Sequence, residues 1–325
     1  MPNALIFGIT GFAGAGLARH LVAQAWDVRG IGRDEQAAPD LESLGVVVEI
    51  ADVVARESLE DVGRDGDHVF YLVGSVAGNN AWVRRVGYDG VVNVCDALRD
   101  VRIASFTYVG TLAVYGAGSD VALTEHSPVR PNSLLGRVNV AAEQFLQDQQ
   151  HERGLPVRIV RSGTIYGAGR DTLTALRQGR LRVIGHGRNY TSRIHVEDLA
   201  RVLEAIALQG KVGEVYVAAD DEPVQARAYY DYLAEAAEAA PPRTTRRWLA
   251  RSMVALLGLG ARATRGHSPL SQSLFSLVTA SYRASNARIR SELGVELAYP
   301  TYREGVASMV AGPSEHEMQG DRAPG

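Results

Sequence analysis

The first structural signal in this chain is the sequence "ALIFGITGFAG" (residues 4–14). A short apolar run leads into glycines at positions 8, 11 and 14, and a helical pattern follows from about Phe12 to Trp26. Glycine permits the unusual dihedrals of such a turn and lets the backbone approach a phosphate closely. The free N–H groups at the start of the helix attract the same anion. This order predicts a phosphate-binding loop at the start of a βαβ unit, and the alternative is a tight turn without a ligand.

The rest of the chain continues this alternation of strand and helix patterns. Further apolar runs that predict strands lie at residues 27–32, 46–51, 69–74, 106–111 and 157–167. Helix-length patterns separate them, including a long one at about 79–100. Near-continuous runs of Val, Ile and Leu with helical crossovers are typical of a parallel sheet covered on both faces. The sequence therefore predicts an α/β fold built on a Rossmann-like, doubly wound parallel sheet.

The regular alternation ends near residue 170, which suggests a division of the chain. Residues 1–170 are predicted to form a dinucleotide-binding Rossmann domain, to which a later segment at 190–220 returns. Residues 171–312 are expected to form mainly a smaller C-terminal substrate lobe. The last residues, 313–325, contain almost no large apolar side chains and are predicted to be a disordered tail.

Composition narrows the class of protein. The formal net charge of −3 argues against a nucleic-acid partner, because such proteins usually carry a basic stripe. The single cysteine, Cys95, excludes an intrachain disulfide and favours a reducing, cytoplasmic location. The N-terminus has no basic region or long apolar run typical of a signal peptide. The stretch "SMVALLGLG" (252–260) is too short to span a bilayer, so we expect no membrane partner, and we predict no metal site.

Four further motifs follow the glycine loop in order. They are "FTYVGTLAVYG" (106–116), "RSGTIYGAG" (161–169), "RIHVEDLA" (193–200) and "YPTYREG" (299–305). Together they resemble the extended short-chain dehydrogenase/reductase superfamily, in particular its NAD-dependent epimerase/dehydratase family, over about residues 4–310. The resemblance implies an enzyme that binds a nicotinamide dinucleotide and acts on a small metabolite or a nucleotide-sugar-like substrate.

The resemblance also assigns the cofactor contacts, including Asp52 as an acidic residue near the adenine. The positions that match are Gly8, Thr10, Gly11, Phe12, Ala13, Gly14, Arg33, Asp52, Val53, Val73 and Gly74. An NAD site normally has an acidic residue at the end of the second strand, where this chain has Gly32 followed by Arg33. An arginine suits the 2′-phosphate of NADP, so NADP(H) is favoured over NAD(H). The alternative is a solvated Arg33, with Asp34 supplying the carboxylate.

The catalytic residues of the family are only partly present. Thr111 matches the Ser/Thr that hydrogen-bonds the reacting oxygen. In the helix "SLLGRVNVAAEQ" (133–144), Leu135 stands at the tyrosine position and Asn139 at the lysine position of the family's YxxxK pair. The chain is therefore identified as an atypical member. Leucine cannot transfer a proton, and such general acid–base help supplies roughly 10²–10⁴ in rate. Asn139 could still contact a ribose hydroxyl.

Four other side chains are candidate proton donors. They are Tyr115, Tyr166, Tyr190 and His195. Tyr190 is the favoured surrogate, because its segment passes near the substrate in relatives, and structural roles are expected for the other three. Arg243, Arg246 and Arg247 either clamp a diphosphate or belong to the solvated face of a helix. The apolar faces of the helices near 80–100 and 133–150 permit a homodimer.

Three functions are compatible with these residues. The leading one is an NADP(H)-binding oxidoreductase, epimerase or dehydratase-like enzyme with non-standard proton transfer. The second is a non-redox isomerase, cyclase or lyase that keeps the bound nucleotide as a scaffold. The third is a catalytically silent, nucleotide-binding regulator. The retained Thr111 favours the first two.

Overall fold

The structure is a computed structural model, and it describes residues 1–74, 79–116, 121–264 and 272–311, with the backbone alone at 257–264. The predicted tail at 313–325 lies outside the described residues. The strands are β1 (Asn3–Phe7), β2 (Asp27–Gly32), β3 (Val47–Ile50), β4 (Asp67–Tyr71), β5 (Ser105–Thr111), β6 (Val157–Ser162), β7 (Thr164–Tyr166), β8 (Arg182–Ile184), β9 (Tyr190–Thr191), β10 (Arg193–His195), β11 (Val215–Ala218), β12 (Val224–Gln225) and β13 (Arg243–Thr245).

The helices follow the strands in the expected alternation as far as residue 162. They are α1 (Phe12–Ala23), α2 (Ala38–Glu42), α3 (Asn80–Arg84), α4 (Gly90–Ala97), α5 (Leu134–Arg153), α6 (Thr172–Arg177), α7 (Val196–Gln209), α8 (Ala226–Ala236), α9 (Arg247–Thr264), α10 (Gln272–Thr279), α11 (Ala287–Leu293) and α12 (Tyr302–Ala311). A π-helical turn at Arg85–Asp89 joins α3 to α4, so the long helix predicted at 79–100 is interrupted. Short 3₁₀ turns lie at Arg56–Leu59 and Leu112–Tyr115.

Within the described residues, the central sheet has seven strands in the order β3-β2-β1-β4-β5-β6-β11, all of them parallel. One face carries a buried cluster formed with α1, α7 and α11, and α1 packs directly on α7. The other face is covered by α4 and α5. The predicted doubly wound, Rossmann-like sheet is therefore confirmed. Because all strands run the same way, their carboxyl ends meet at one edge, where ligands bind in such folds.

The run at 157–167, predicted as one strand, is broken at Gly163. A side chain at this position would place its Cβ 2.7 Å from the Ser192 carbonyl oxygen, so only glycine fits. The Gly163 N–H donates to the Ala218 carbonyl, and the next residue donates to Ser192. As a result β6 stays in the central sheet while β7 leaves it and pairs with β10. The prediction of one continuous strand was wrong.

Beyond residue 170 the chain forms small paired strands and helices around a second core. β8 pairs with β13 and β9 with β12. The core of this lobe is built from β7, α6, α8 and α12, with Tyr229 and Leu233 at its centre. Two segments of the same region return to the first unit: β11 pairs with β6, and α7 packs on α1. Across residues 1–74, 79–116, 121–264 and 272–311, no helix is both long and apolar enough to cross a membrane.

Candidate active site

The glycine loop joins β1 to α1 at the carboxyl edge of the sheet. Gly8 has a φ of +88°, and a Cβ on Gly14 would lie 2.1 Å from the Gly8 carbonyl oxygen. Helix α1 begins after Gly11. No side chain in the described chain caps this end of the helix, and its first turn carries no acidic residue. The first N–H groups of a helix have no intrahelical partner. The loop therefore offers donors and close backbone access, which fit a pyrophosphate.

The end of β2 lies beside this loop. A Cβ on Gly32 would come within 2.4 Å of Thr10 Cγ2, so the Thr10 side chain fills the space of an acidic residue at position 32. Arg33 Nη1 lies 3.6 Å from Asp52 Oδ2, and the Arg33 guanidinium lies 5.4 Å from the centre of the Trp82 ring. About half of the Arg33 side chain is exposed. An exposed cation therefore stands where an NAD site normally has a carboxylate.

The remaining predicted cofactor residues lie at the ends of β3 and β4. Asp52 Oδ1 accepts a hydrogen bond from the Val54 N–H, and Val53 is buried against α4. Val73 approaches Gly8, since a Cβ there would lie 3.2 Å from Val73 Cγ2, while Gly74 is exposed. The predicted contacts thus lie along one edge of the sheet, and their roles stay predictions.

Thr111 ends β5 at the same edge. It pairs in register with Ser162 at the end of β6. Its Oγ1 accepts a weak hydrogen bond from the Ala113 N–H, 3.3 Å away, at the start of the 3₁₀ turn. A hydroxyl retains a proton to donate when it accepts such a bond. Thr111 is partly exposed and can donate to an oxygen of a bound substrate.

Helix α5 passes directly over this turn because Gly136 lacks a side chain. A Cβ on Gly136 would lie 2.4 Å from the Ala113 carbonyl oxygen. Ser133 caps the helix by accepting the Gly136 N–H. Leu135 is thereby held in an apolar cluster with Val83 and Ala113, and is 8% exposed. The position that the resemblance assigns to a tyrosine is an apolar wall.

Asn139 lies one turn further along α5 and is also buried. Its Oδ1 accepts the Tyr108 hydroxyl at 3.1 Å, and its Nδ2 donates to the Leu135 carbonyl at 2.9 Å. One Nδ2 proton is left over, which keeps a ribose contact chemically possible. Burial holds the pKa of Tyr108 well above its usual range, so this hydroxyl stays protonated and donates.

Three of the four candidate surrogates are engaged in the protein interior. The Tyr115 hydroxyl accepts a hydrogen bond from Arg161, which also pairs with buried Glu143. The Tyr166 hydroxyl donates to the Thr301 carbonyl at 3.4 Å. His195 is fully buried, and its Nδ1 accepts the Glu197 N–H at the start of α7. Burial lowers the pKa of His195 to about 4, so its ring is neutral at physiological pH.

Tyr190 differs from the other three. Its ring is partly exposed and lies under the Arg283 guanidinium, 3.7 Å from ring centre to Cζ. Within the described part of the chain its hydroxyl makes no hydrogen bond, so it is free to contact a ligand. The contacts of Tyr190 are with β12, Ser281, Tyr282 and Arg283. The structure does not bring it into contact with Thr111, and its surrogate role stays a prediction.

Sequence reasoning missed two features near this edge. Arg170 lies with its guanidinium 5.2 Å from the ring centre of Phe12, the first residue of α1. This places a positive charge beside the phosphate loop, and the only signal was an arginine directly after "GAG". Asp220, two residues beyond β11, is 2% exposed, and neither carboxylate oxygen has a hydrogen-bond partner in the described chain.

The lobe contains a cavity of about 560 Å³. Its walls are the loop after β8, the strand β13 and the start of α9: Ile184, Gly185, His186, Gly187, Arg188, Asn189, Thr244, Arg246 and Arg247. Two of the three arginines proposed to clamp a diphosphate, Arg246 and Arg247, therefore line a cavity. Arg243, the third, is exposed and is not part of this lining.

The parallel sheet, the glycine loop and Thr111 all lie within the first two thirds of the chain. The model of the NAD-dependent epimerase/dehydratase family matches residues 4–219. The chain belongs to this family. The predicted membership of the extended short-chain dehydrogenase/reductase superfamily is thereby confirmed. The protein is a member of an enzyme family that binds a nicotinamide dinucleotide.

The chain is similar to one relative in sequence and to two solved structures in fold. A 4-hydroxy-2-methyl-3-oxo-4-farnesyl-3,4-dihydroquinoline-1-oxide ketoreductase from Stigmatella aurantiaca is 30% identical over 244 residues, which is 72% of each chain. DesIV, a dTDP-glucose 4,6-dehydratase from Streptomyces venezuelae with NAD and TYD bound, has a TM-score of 0.78 at 19% identity over 95% of this chain and 96% of its own. RMD from Pseudomonas aeruginosa, complexed with NADPH, has a TM-score of 0.71 at 17% identity over 96% and 98%.

Proposed function

We propose that this protein is an NADP(H)-dependent oxidoreductase that interconverts a carbonyl and an alcohol on a small, largely apolar metabolite. The observation that carries the proposal is that the same site contains Thr111, whose hydroxyl at the end of β5 has a proton to donate, and the apolar wall at Leu135. The similarity to a ketoreductase whose named substrate bears a farnesyl group supports the same substrate class.

The cofactor is proposed to lie along the carboxyl edge of the sheet. The backbone N–H groups of Phe12, Ala13 and Gly14 would hold its pyrophosphate, with Arg170 adding positive charge from the side. Arg33 would pair with a 2′-phosphate, which supports NADP(H) over NAD(H). The bound nicotinamide would supply or accept a hydride.

Proton transfer is proposed to differ from that of most relatives. Thr111 donates a hydrogen bond to the reacting oxygen and orients it. Leu135 has no proton to exchange, and its apolar cluster excludes water on that side. The proton therefore comes from solvent, from the substrate itself or from Tyr190, whose hydroxyl has no other hydrogen-bond partner in the described chain. Asn139 keeps one amide proton for a ribose hydroxyl.

A second candidate substrate class is supported by the cavity in the lobe. Arg188, Arg246 and Arg247 give it positive charge, and forked guanidinium groups suit phosphate oxygens. A nucleotide-sugar-like substrate would place its diphosphate there. Such a substrate would bind more weakly as ionic strength rises, whereas an uncharged ketone would not.

Binding and turnover can be tested separately with the purified full-length protein. Fluorescence titration with NADPH and NADH measures the two dissociation constants, and we expect NADPH to bind more tightly. Loss of reduced-nicotinamide absorbance in the presence of aromatic prenylated ketones then measures reduction. Tight NADPH binding with substrate conversion but no net change in absorbance would instead support an epimerase or dehydratase that regenerates its cofactor, or the non-redox isomerase, cyclase or lyase. Binding without any conversion would support the regulator, and failure to bind either nucleotide would refute all three functions.

We also propose that the protein forms a homodimer through α3, α4 and α5. A groove of about 530 Å³ lies between α3, the π-helical turn that follows it and α5, and Tyr88, Leu134, Val138 and Phe145 contribute apolar side chains to its lining. Analytical ultracentrifugation over a range of concentrations tests this proposal. A Phe145→Asp change is expected to shift the protein to monomer, and an unchanged mass would contradict the interface.

A further inference from the structure

Helix α9 exposes an apolar stripe that the exposed Ser252 interrupts. Trp248, Leu249, Met253 and Leu256 are 63%, 42%, 43% and 68% exposed. Since a helix turns by about 100° per residue, these four side chains lie within an arc of about 140°. Ala250 and Val254, on the opposite side of the helix, are buried. The helix thus has one apolar face packed on the protein and a second one turned to solvent.

The charge of this part of the chain is unusual. From residue 239 to residue 291 the sequence contains no Asp or Glu. The same stretch contains the arginines Arg243, Arg246, Arg247, Arg251, Arg262, Arg265, Arg283, Arg288 and Arg290. The whole chain has a formal net charge of −3, so this region is a strongly cationic part of an otherwise acidic protein.

The arginines nearest the apolar stripe are free of carboxylates. Arg243, Arg246, Arg247 and Arg251 are exposed, and none of them has an ion pair within the part of the chain that the structure describes. The arginines further along behave differently, since Arg288 pairs with Glu214 and Glu292, and Arg290 with Asp221. Four arginines without an ion pair in the described chain thus stand beside the exposed apolar side chains.

We propose that α9 docks the protein on an anionic lipid bilayer. In this arrangement α9 lies in the plane of the interface, Trp248, Leu249, Met253 and Leu256 enter the boundary of the headgroups and acyl chains, and the neighbouring arginines contact lipid phosphates. Basic amphipathic helices with Trp and Leu on the apolar face bind membranes in this way. The proposal departs from the expectation, drawn from the sequence, that the protein has no membrane partner.

A second copy of the chain fits this surface less well than lipid does. A twofold interface brings the same patch of both subunits together. The free arginines of one subunit would then face those of the other, without carboxylates from α9 to neutralise them. A bilayer containing anionic phospholipid supplies an apolar layer and negative charge in a single plane.

Docking on lipid would also affect access to the lobe cavity. Arg246 and Arg247 line this cavity and directly precede Trp248. A lipophilic substrate dissolved in the membrane would therefore meet the protein near the cavity. The docking itself does not depend on the proposed reaction, because the four apolar side chains and Arg251 lie outside the lining of the lobe cavity.

The test uses the full chain and vesicles of defined composition. Flotation is compared between vesicles of phosphatidylcholine alone and vesicles that also contain phosphatidylglycerol. We expect the protein to float with the anionic vesicles, with a partition coefficient at least about tenfold higher than with the neutral ones. A Trp248→Ser/Leu256→Ser variant is expected to lose about tenfold or more in partitioning. Arg251→Gln is expected to partition more weakly than the wild type at low salt, by a factor that shrinks as salt is raised.

The matched control is Leu208→Ser/Val212→Ser. It changes two apolar side chains, 48% and 47% exposed, in the last turn of α7 and just beyond it. This variant should float like the wild type. Equal partitioning of wild type and Trp248→Ser/Leu256→Ser, or an equal loss in the control, would overturn the proposal. It would also be overturned if the Trp248→Ser/Leu256→Ser change abolished a concentration-dependent dimer while the wild type ignored anionic vesicles.

Discussion

The Tyr108 hydroxyl donates a 3.1 Å hydrogen bond to Asn139 Oδ1, in the interior between β5 and α5. Both residues are buried, and the same asparagine amide donates to the Leu135 carbonyl one turn earlier in the helix. Asn139, at the position where the family resemblance implies a lysine, therefore joins α5 to the central sheet. Since Thr111 ends β5 and Leu135 lies on α5, this contact fixes the two walls of the candidate site relative to each other.

Removing either partner of this contact should destabilise the protein. Each of the two variants, Asn139→Ala and Tyr108→Phe, leaves a buried polar group without its hydrogen-bond partner, and Asn139→Ala also shortens a packed side chain. We expect each variant to lower the free energy of unfolding by roughly 1–3 kcal/mol. The double variant should lose less than the two single variants combined, by about 1 kcal/mol. Urea unfolding of the four proteins measures this coupling. Strictly additive losses would show that the hydrogen bond contributes nothing to stability.

Thr111→Val should lower turnover while leaving cofactor binding intact. Valine keeps the shape of threonine but cannot donate to a substrate oxygen, so we expect kcat to fall by roughly 10²-fold. It also loses the acceptor for the Ala113 N–H, at a cost of about 1 kcal/mol in stability. Thr111→Ser is the matched control and should retain most activity. A Thr111→Val protein with wild-type kcat would remove Thr111 from the mechanism.

The sheet and the glycine loop could be predicted because their signals are local. Continuous apolar runs mark β1, β2 and β5, and Gly11 and Gly14 are required by contacts with the Gly8 carbonyl, a few residues away in sequence. The order of strands then follows from the general rules of parallel α/β folds. For the same reason the sequence places Thr111 at the end of β5, as the structure has it, while its role in the site stays a prediction.

The contacts that define the site in detail join residues far apart in sequence. Tyr108 and Asn139 are 31 residues apart, and no local pattern pairs them. In the same way, Gly32 has no side chain, so the sequence alone suggests open space beside it. In the structure the side chain of Thr10, from another loop, fills that space. Sequence patterns give the elements, whereas these contacts depend on how the elements pack together.

Arg33→Gln should reduce the preference for NADPH. The guanidinium is half exposed and has Asp52 at 3.6 Å, so it can move to a 2′-phosphate at little cost. Loss of one charged hydrogen bond of this kind weakens binding by about 2 kcal/mol, or roughly 30-fold in Kd. The Kd for NADH should barely change. Arg56→Gln, at an exposed arginine that pairs with Asp96 instead, controls for net charge. Equal losses for both nucleotides would refute the proposed phosphate contact.

Gly32→Asp alone should not convert the protein to NADH use. The new Cβ would lie 2.4 Å from Thr10 Cγ2, so the variant is expected to be less stable and to bind both nucleotides weakly. Combining it with Thr10→Ala removes the two closest contacts, leaves the Cβ of residue 10 at 3.1 Å and frees space for the carboxylate to reach ribose hydroxyls. The double variant should therefore regain stability and bind NADH more tightly than NADPH. Thermal unfolding and fluorescence titration test both steps, and wild-type stability of Gly32→Asp would contradict the packing of Thr10.

Asp220 gives the protein an unusual dependence of stability on pH. Its carboxylate is buried beside Arg193, yet neither oxygen has a hydrogen-bond partner in the described residues. Burial raises the pKa of Asp220 to about 8, against the opposing effect of the Arg193 charge. In the unfolded chain the same carboxyl ionises near pH 4. Between these two values the folded protein holds a proton that the unfolded chain has lost.

Stability should therefore fall as pH rises from about 6 to about 8, by up to roughly 2–3 kcal/mol from this group alone. The sign follows because the folded state binds the extra proton, so its removal favours unfolding. Asp220→Asn cannot ionise and should abolish this part of the slope, which urea unfolding across the pH range measures. Asp65→Asn is the control, because hydrogen bonds from the Arg102 N–H and side chain lower the pKa of Asp65 and confine its effect to acid. An unchanged slope in Asp220→Asn would mean that the Asp220 carboxyl is already ionised, and solvated or paired, at neutral pH.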